Sequence, residues 1–158
     1  MPRTVLAALI VSVTTLAGCG GHAVKIDPNA APLASRWTAS LATPPRLQGA
    51  IQVNGIAWMA RREKDTTQTQ VHIELANAAP GGRHPWHVHL GQCGSDQGVL
   101  GPPDSYPVLK VGGDGKAKAD GYLKLPTPRA GQYYVDVHAS ATNLQTLMAC
   151  GNMAPPAE

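Results

Sequence analysis

His84-Pro85-Trp86-His87-Val88-His89-Leu90-Gly91-Gln92-Cys93 is the stretch that sets the fold class of this 158-residue chain. In an extended strand, residues two apart point the same way. Trp86 and Val88 therefore face a core, while His87 and His89 present two imidazoles on the opposite face. The alternation returns in Tyr133-Tyr134-Val135-Asp136-Val137-His138. There Val135 and Val137 face inward, and Asp136 and His138 face outward. If the two strands approach each other, three imidazoles converge on one point outside the sheet. Neutral imidazoles suit copper, zinc, iron or nickel, and first-row affinity peaks at Cu(II). Taken alone, an H-x-H pair is also what two ordinary surface histidines look like.

On either side of these strands the chain is punctuated by turn signals at strand-like intervals, and no segment sustains helical periodicity. Gln48 to Val53, Ile56 to Arg62 and Gln70 to Leu75 read as strands. In the last of these, Val71, Ile73 and Leu75 share one face, and His72 and Glu74 the other, which makes His72 a surface residue. Pro80-Gly81-Gly82 is a turn, Trp86 to Leu90 a strand, and Cys93 to Pro107 a long Gly/Pro loop. Gly112-Gly113-Asp114-Gly115 turns into a strand from Lys116 to Leu125. A turn from Pro126 to Gly131 leads to Gln132 to Ala139, and Leu147 to Cys150 closes the domain. About eight short strands and many turn residues argue an all-β fold, an antiparallel Greek-key β-sandwich or barrel. With no Phe in the chain, the core must lean on Val, Ile, Leu, Ala and Trp.

The first residues describe export. Arg3 is a short basic region, Val5 to Leu16 carry no charge, and Leu16-Ala17-Gly18-Cys19 reads as a lipobox. So short an apolar run ending in small residues is an export signal and not a spanning helix. Residues 1–18 are then a lipoprotein signal peptide, with Cys19 the lipidated first residue of the mature chain, held at a membrane surface by its acyl chains. An ordinary cleaved signal that happens to contain a cysteine is the alternative. Gly20 is not an aspartate, which places the anchor on the periplasmic side of the outer membrane in preference to the inner. Residues 19–35 form a tether, with His22 at best an opportunistic metal contact. Residues 36–153 form the folded domain, and 154–158 a tail. The formal charge of +3 includes Arg3. No Lys/Arg run suggests nucleic acid. With Cys19 set aside, Cys93 and Cys150 remain, and an oxidising compartment permits them to pair. Two free buried thiols are the alternative. A bridge would close a loop of roughly 58 residues, worth about 4 kcal/mol in the chain-entropy model.

The histidine segment, the later V-D-V-H and the near-terminal Ala149-Cys150-Gly151 together resemble the Cu/Zn superoxide dismutase family. That family carries H-x-x-H-x-H, a downstream half-cystine, a V-x-H strand and an Ala-Cys-Gly. The resemblance runs from about Leu47 to Met153 and includes the Pro80-Gly81 and Asp114-Gly115 turns. It implies that His87, His89 and His138 are ligands of one copper ion. It implies that His84 orients the site from behind the ligands, and that Cys93 and Cys150 form the intrasubunit disulfide. Asp136, on the face of His138, either accepts a hydrogen bond from a ligand imidazole or is solvated. Tyr106, in the loop that covers the metal in that family, would line the site.

The chain departs from the family in ways that bear on activity. No histidine lies between His89 and His138, so the bridging and zinc histidines are absent and no zinc is expected. Asp104, Asp114 or Asp120 cannot build a zinc site alone. Only Ala139 to Ala149 separate His138 from the last half-cystine, where the family has a longer electrostatic loop. Leu147 stands where the family has an arginine that draws superoxide to the metal. The expected function is therefore a copper-binding, superoxide dismutase-like periplasmic lipoprotein with weak or absent dismutation. A copper-only superoxide dismutase, and a metal-free structural or interaction lipoprotein of the same fold, are the alternatives. The expected partners are a membrane, through Cys19, and copper or superoxide as the small ligand.

Overall fold

The structure is a computed structural model and describes residues 35–157. The signal, Cys19, His22 and nearly all of the tether lie outside the described residues. Ten strands are present: β1 (Trp37–Ala42), β2 (Asn54–Arg61), β3 (Thr69–Ala76), β4 (Arg83–His84), β5 (Trp86–Gln92), β6 (Ser95–Val99), β7 (Leu109–Lys110), β8 (Ala117–Leu123), β9 (Tyr133–Ser140) and β10 (Asn143–Asn152). Eight of them make one curled antiparallel sheet in the order β6-β5-β9-β10-β1-β2-β3-β8, and β4 pairs with β7. The described part of the chain is all-β, as its periodicity predicts. Consecutive strands are not always neighbours: β9 inserts between β5 and β10, and β10 returns to lie beside β1. These are Greek-key crossings. Among the described residues no helix is long and apolar enough to cross a membrane.

The inner face of the curl is the core. Alternate residues of β1 (Trp37, Ala39, Leu41) and β3 (Val71, Ile73, Leu75) are buried, matched by Trp86 and Val88 of β5 and Val135 and Val137 of β9. Lacking phenylalanine, the interior also recruits Met59, Met148, Met153 and three tyrosines. Trp37 meets Tyr133 edge-on at 5.1 Å, and Trp86 meets Tyr106 edge-on at 5.2 Å. Such edge-to-face pairs let the positive ring edge meet the negative face, and stabilise beyond simple burial. Both indole nitrogens are satisfied, Trp37 donating to the Pro128 carbonyl and Trp86 to that of Pro107.

Two of the expected elements differ. Gln48 to Val53 is not a strand: Pro45–Leu47 form a 3-10 turn, Gly49 takes φ of 95°, and only Gln48 and Ile51 bridge. Thr43 then holds the returning chain by a paired contact with the Val53 backbone. The expected loop from Cys93 to Pro107 contains β6, whose side chains are almost all exposed. A polar edge strand carries no apolar alternation, so its residues look like loop. Cys93 and Cys150 are bridged, with Cα atoms 6.1 Å apart. The bridge ties the β5–β6 turn to the C-terminal part of β10.

Candidate metal centre

Strands β5 and β9 are direct hydrogen-bonded neighbours, with Trp86 opposite Val137, His87 opposite Asp136 and His89 opposite Tyr134. The backbone amide of His138 donates to the Pro85 carbonyl at 2.9 Å, which carries the register one step further. Residues opposite or diagonal on one face lie within reach of long side chains. His87, His89, Asp136 and His138 therefore meet on the face turned away from the core. One ligand atom from each lies within 4.8 Å of all the others.

The atoms that face inward are specific. His87 Nδ1 lies 3.2 Å from His138 Nε2. Asp136 approaches His89 Nε2 with Oδ2 and His138 Nε2 with Oδ1, each at 3.3 Å. The outer nitrogens of two rings are already committed. His89 Nδ1 donates to Asp96 Oδ1 at 2.7 Å, and His138 Nδ1 donates to the Leu144 carbonyl at 2.7 Å. A carbonyl can only accept, so His138 Nδ1 carries a proton and Nε2 is the nitrogen turned to the centre. Oriented in this way, the rings satisfy the usual requirement for metal-ligating histidines.

This face is not solvated, contrary to simple strand alternation. His89, Asp136 and His138 are 6 %, 2 % and 6 % exposed, and His87 is half-buried. The segment after β6 and the β9–β10 turn fold over the outside of β5 and β9, leaving an open cleft of about 980 Å³. Tyr106 lines it, as the resemblance implies, with its ring edge-on to His87 at 5.4 Å and its hydroxyl donating to the Leu100 carbonyl. His84 stands outside the ligand group. Its Nδ1 donates to the Ala139 carbonyl at 2.9 Å and approaches that of His138 at 3.2 Å, so it holds the backbone that presents His138. Asp136 is neither solvated nor at an outer ring nitrogen; it addresses the nitrogens that point inward.

Burial shapes the charges. Burial, with His138 and His89 nearby, lowers His87 to about 4 against the opposing pull of Asp136. It is a neutral imidazole at neutral pH. Burial alone would raise the Asp136 carboxyl, but the imidazoles of His138 and His89, each 3.3 Å away, hold it at about 2. For His89, burial disfavours the imidazolium, yet the carboxylates of Asp136 and Asp96 outweigh it and its value is raised.

No protein-family model and no curated protein matches this chain.

Whether the donors fit a cation is answered by what they leave unsatisfied. His89 Nε2 and Asp136 Oδ1 are fully buried and have no well-aligned hydrogen-bond partner. Such groups are costly to bury unless something on the same spot takes up their lone pairs. Both belong to the group whose ligand atoms all lie within 4.8 Å of one another, close enough for one cation to reach them together. Three imidazoles and one carboxylate suit a first-row divalent ion.

Sequence reasoning missed Asp96 and the Leu144 carbonyl. Asp96 lies in the stretch mistaken for loop, and only the two-residue Cys93-Gly94 turn brings it back opposite Gly91. Among the described residues the remaining histidine, His72, is where the alternation places it. It bonds Asp120 and Glu74 at 2.9 and 3.1 Å and stacks on Trp58, on strands away from the centre.

Proposed function

We propose that this protein is a copper-binding, superoxide dismutase-like lipoprotein of the cell envelope, with slow superoxide dismutation or none. The observation that carries the reading is the convergence of His87, His89, Asp136 and His138 donors within 4.8 Å. The choice of copper rests on the first-row affinity order, which peaks at Cu(II), and on the resemblance of the histidine segments. The anchor rests on the lipobox ending at Cys19.

The cleft supports holding a metal over turning over superoxide. Its described lining contains three carboxylates, Asp96, Asp104 and Asp136, and no lysine or arginine. Such a field concentrates cations and repels an anion. Leu147, where the family has its arginine, sits opposite His138 across the β9–β10 pair and adds only apolar surface. The turn between β9 and β10 is tight, with Ser140 paired to Asn143. No long loop is left there to carry cationic side chains over the metal.

Copper titration of the full chain by calorimetry, with a competing chelator, tests the reading. Wild-type protein is expected to take up one copper ion tightly, and His87→Ala and His138→Ala to lose that binding while keeping the β-sheet circular dichroism. Affinity unchanged in both variants would place copper elsewhere and end the reading. In the same preparations, superoxide decay faster than with an equal concentration of free copper would favour the copper-only dismutase instead.

A further inference from the structure

We propose that Asp136 is a direct fourth ligand, and that its charge makes the centre select Cu(II) over Cu(I). The inference rests on the copper-binding reading above and adds to it a ligand and a preferred oxidation state.

Asp136 sits opposite His87 in the β5–β9 register and two residues before His138, so its side chain emerges on the ligand face. It is only 2 % exposed. A buried carboxylate is tolerated when it is paired or coordinates a metal. The ordinary alternative for an aspartate beside ligand histidines is to receive the proton of an outer ring nitrogen. Here those places on His89 and His138 are filled by Asp96 and the Leu144 carbonyl. Asp136 instead sends one oxygen toward each inner nitrogen, at 3.3 Å on both sides. Its Oδ1 and the His89 Nε2 are both left without an aligned partner. An ion taken by the three inner nitrogens would therefore be within reach of this carboxylate as well.

The consequence for oxidation state follows from charge and ligand hardness. Three imidazoles contribute no formal charge, so Asp136 supplies the only anion among the four donors. Its attraction for a divalent ion is twice that for a monovalent one at the same distance. Cu(I) is the softer ion and is selected by sulfur ligands, while a carboxylate oxygen suits harder cations. The carboxylates of Asp96 and Asp104 along the cleft act in the same direction. The centre is thus built to hold oxidised copper and to resist its reduction.

The test compares Cu(II) and Cu(I) affinities of the full-length wild type with Asp136→Asn, which keeps the shape, and Asp136→Val, which removes both oxygens. Competing chelators selective for each oxidation state supply the constants, and circular dichroism checks folding. Cu(II) affinity is expected to fall at least tenfold in both variants, with Cu(I) affinity changing less than threefold. The electron paramagnetic resonance spectrum of the Cu(II) form should keep its nitrogen hyperfine pattern in Asp136→Val and change its axial parameters. Equal changes in both oxidation states, or no loss for Cu(II), would overturn the proposal with the copper site itself intact. If instead wild-type protein takes up no copper, or His87→Ala and His138→Ala bind as tightly, the underlying reading fails and this one with it.

Discussion

Asp96 shows how much one exposed side chain can do for a buried one. Its carboxylate receives the Nδ1 proton of His89 at 2.7 Å and is itself steadied by the Gly98 amide at 2.8 Å. The Gly98 bond, and then the His89 contact, keep the Asp96 carboxyl below its ordinary value, so the acceptor stays ionised. With the outer nitrogen fixed, His89 can offer only Nε2 to the centre. Asp96→Asn removes the charge that holds this tautomer. Copper affinity is expected to drop about 10–100-fold, the usual effect of losing such a partner. Calorimetry checks this, and unchanged affinity would mean that the ring is held by packing on Tyr134, which it stacks against at 5.0 Å.

Among the elements, the β5–β6 hairpin has the largest influence on the site. It carries His87 and His89 on one arm and Asp96 on the other, and the Cys93–Cys150 bridge fastens its turn to β10. A bulge between His89 and Gly91 adjusts the arms, with Gly91 at φ of 99°. A Cβ there would stand 2.3 Å from the Ser95 carbonyl oxygen. Gly91→Ala is therefore expected to destabilise the fold by about 1–3 kcal/mol and to weaken copper binding by displacing Asp96. A urea midpoint equal to wild type would refute the strain. The alternation of β5, β9 and β3 was legible because each has one face in the core. That of β6 was not, because an edge strand of polar residues has no core face to betray it.

The molecule as a whole answers to pH through the buried centre. The unfolded chain protonates His87 near 6.5, but the folded protein does so only at about 4. Between these values the unfolded state binds more protons, so stability falls as the solution is acidified through this window. Asp136 extends the loss at lower pH: its contribution is present above 3.8 and disappears as pH falls through about 2. His89 acts oppositely, since its raised value stabilises below 6.5 and is lost as pH rises through the folded value. Thermal unfolding of the metal-free protein should thus show a midpoint that declines from pH 6.5 to 4, and His87→Ala should flatten that decline. Parallel slopes in the two proteins would show that His87 is not held neutral by burial.

Local alternation in the chain was enough to determine an antiparallel all-β fold, the inward set of Trp86, Val88, Val135 and Val137, and the common face of His87 and His89. A period of two is a property of the strand itself and needs no neighbour. That β5 and β9 are adjacent, that Asp136 turns toward the inner nitrogens, and that Asp96 reaches His89 were decided only in three dimensions. So was the covering of that face, which makes a surface cluster into a buried one. Each depends on strand order, register or a crossing segment, and these are set by packing between parts of the chain far apart in sequence.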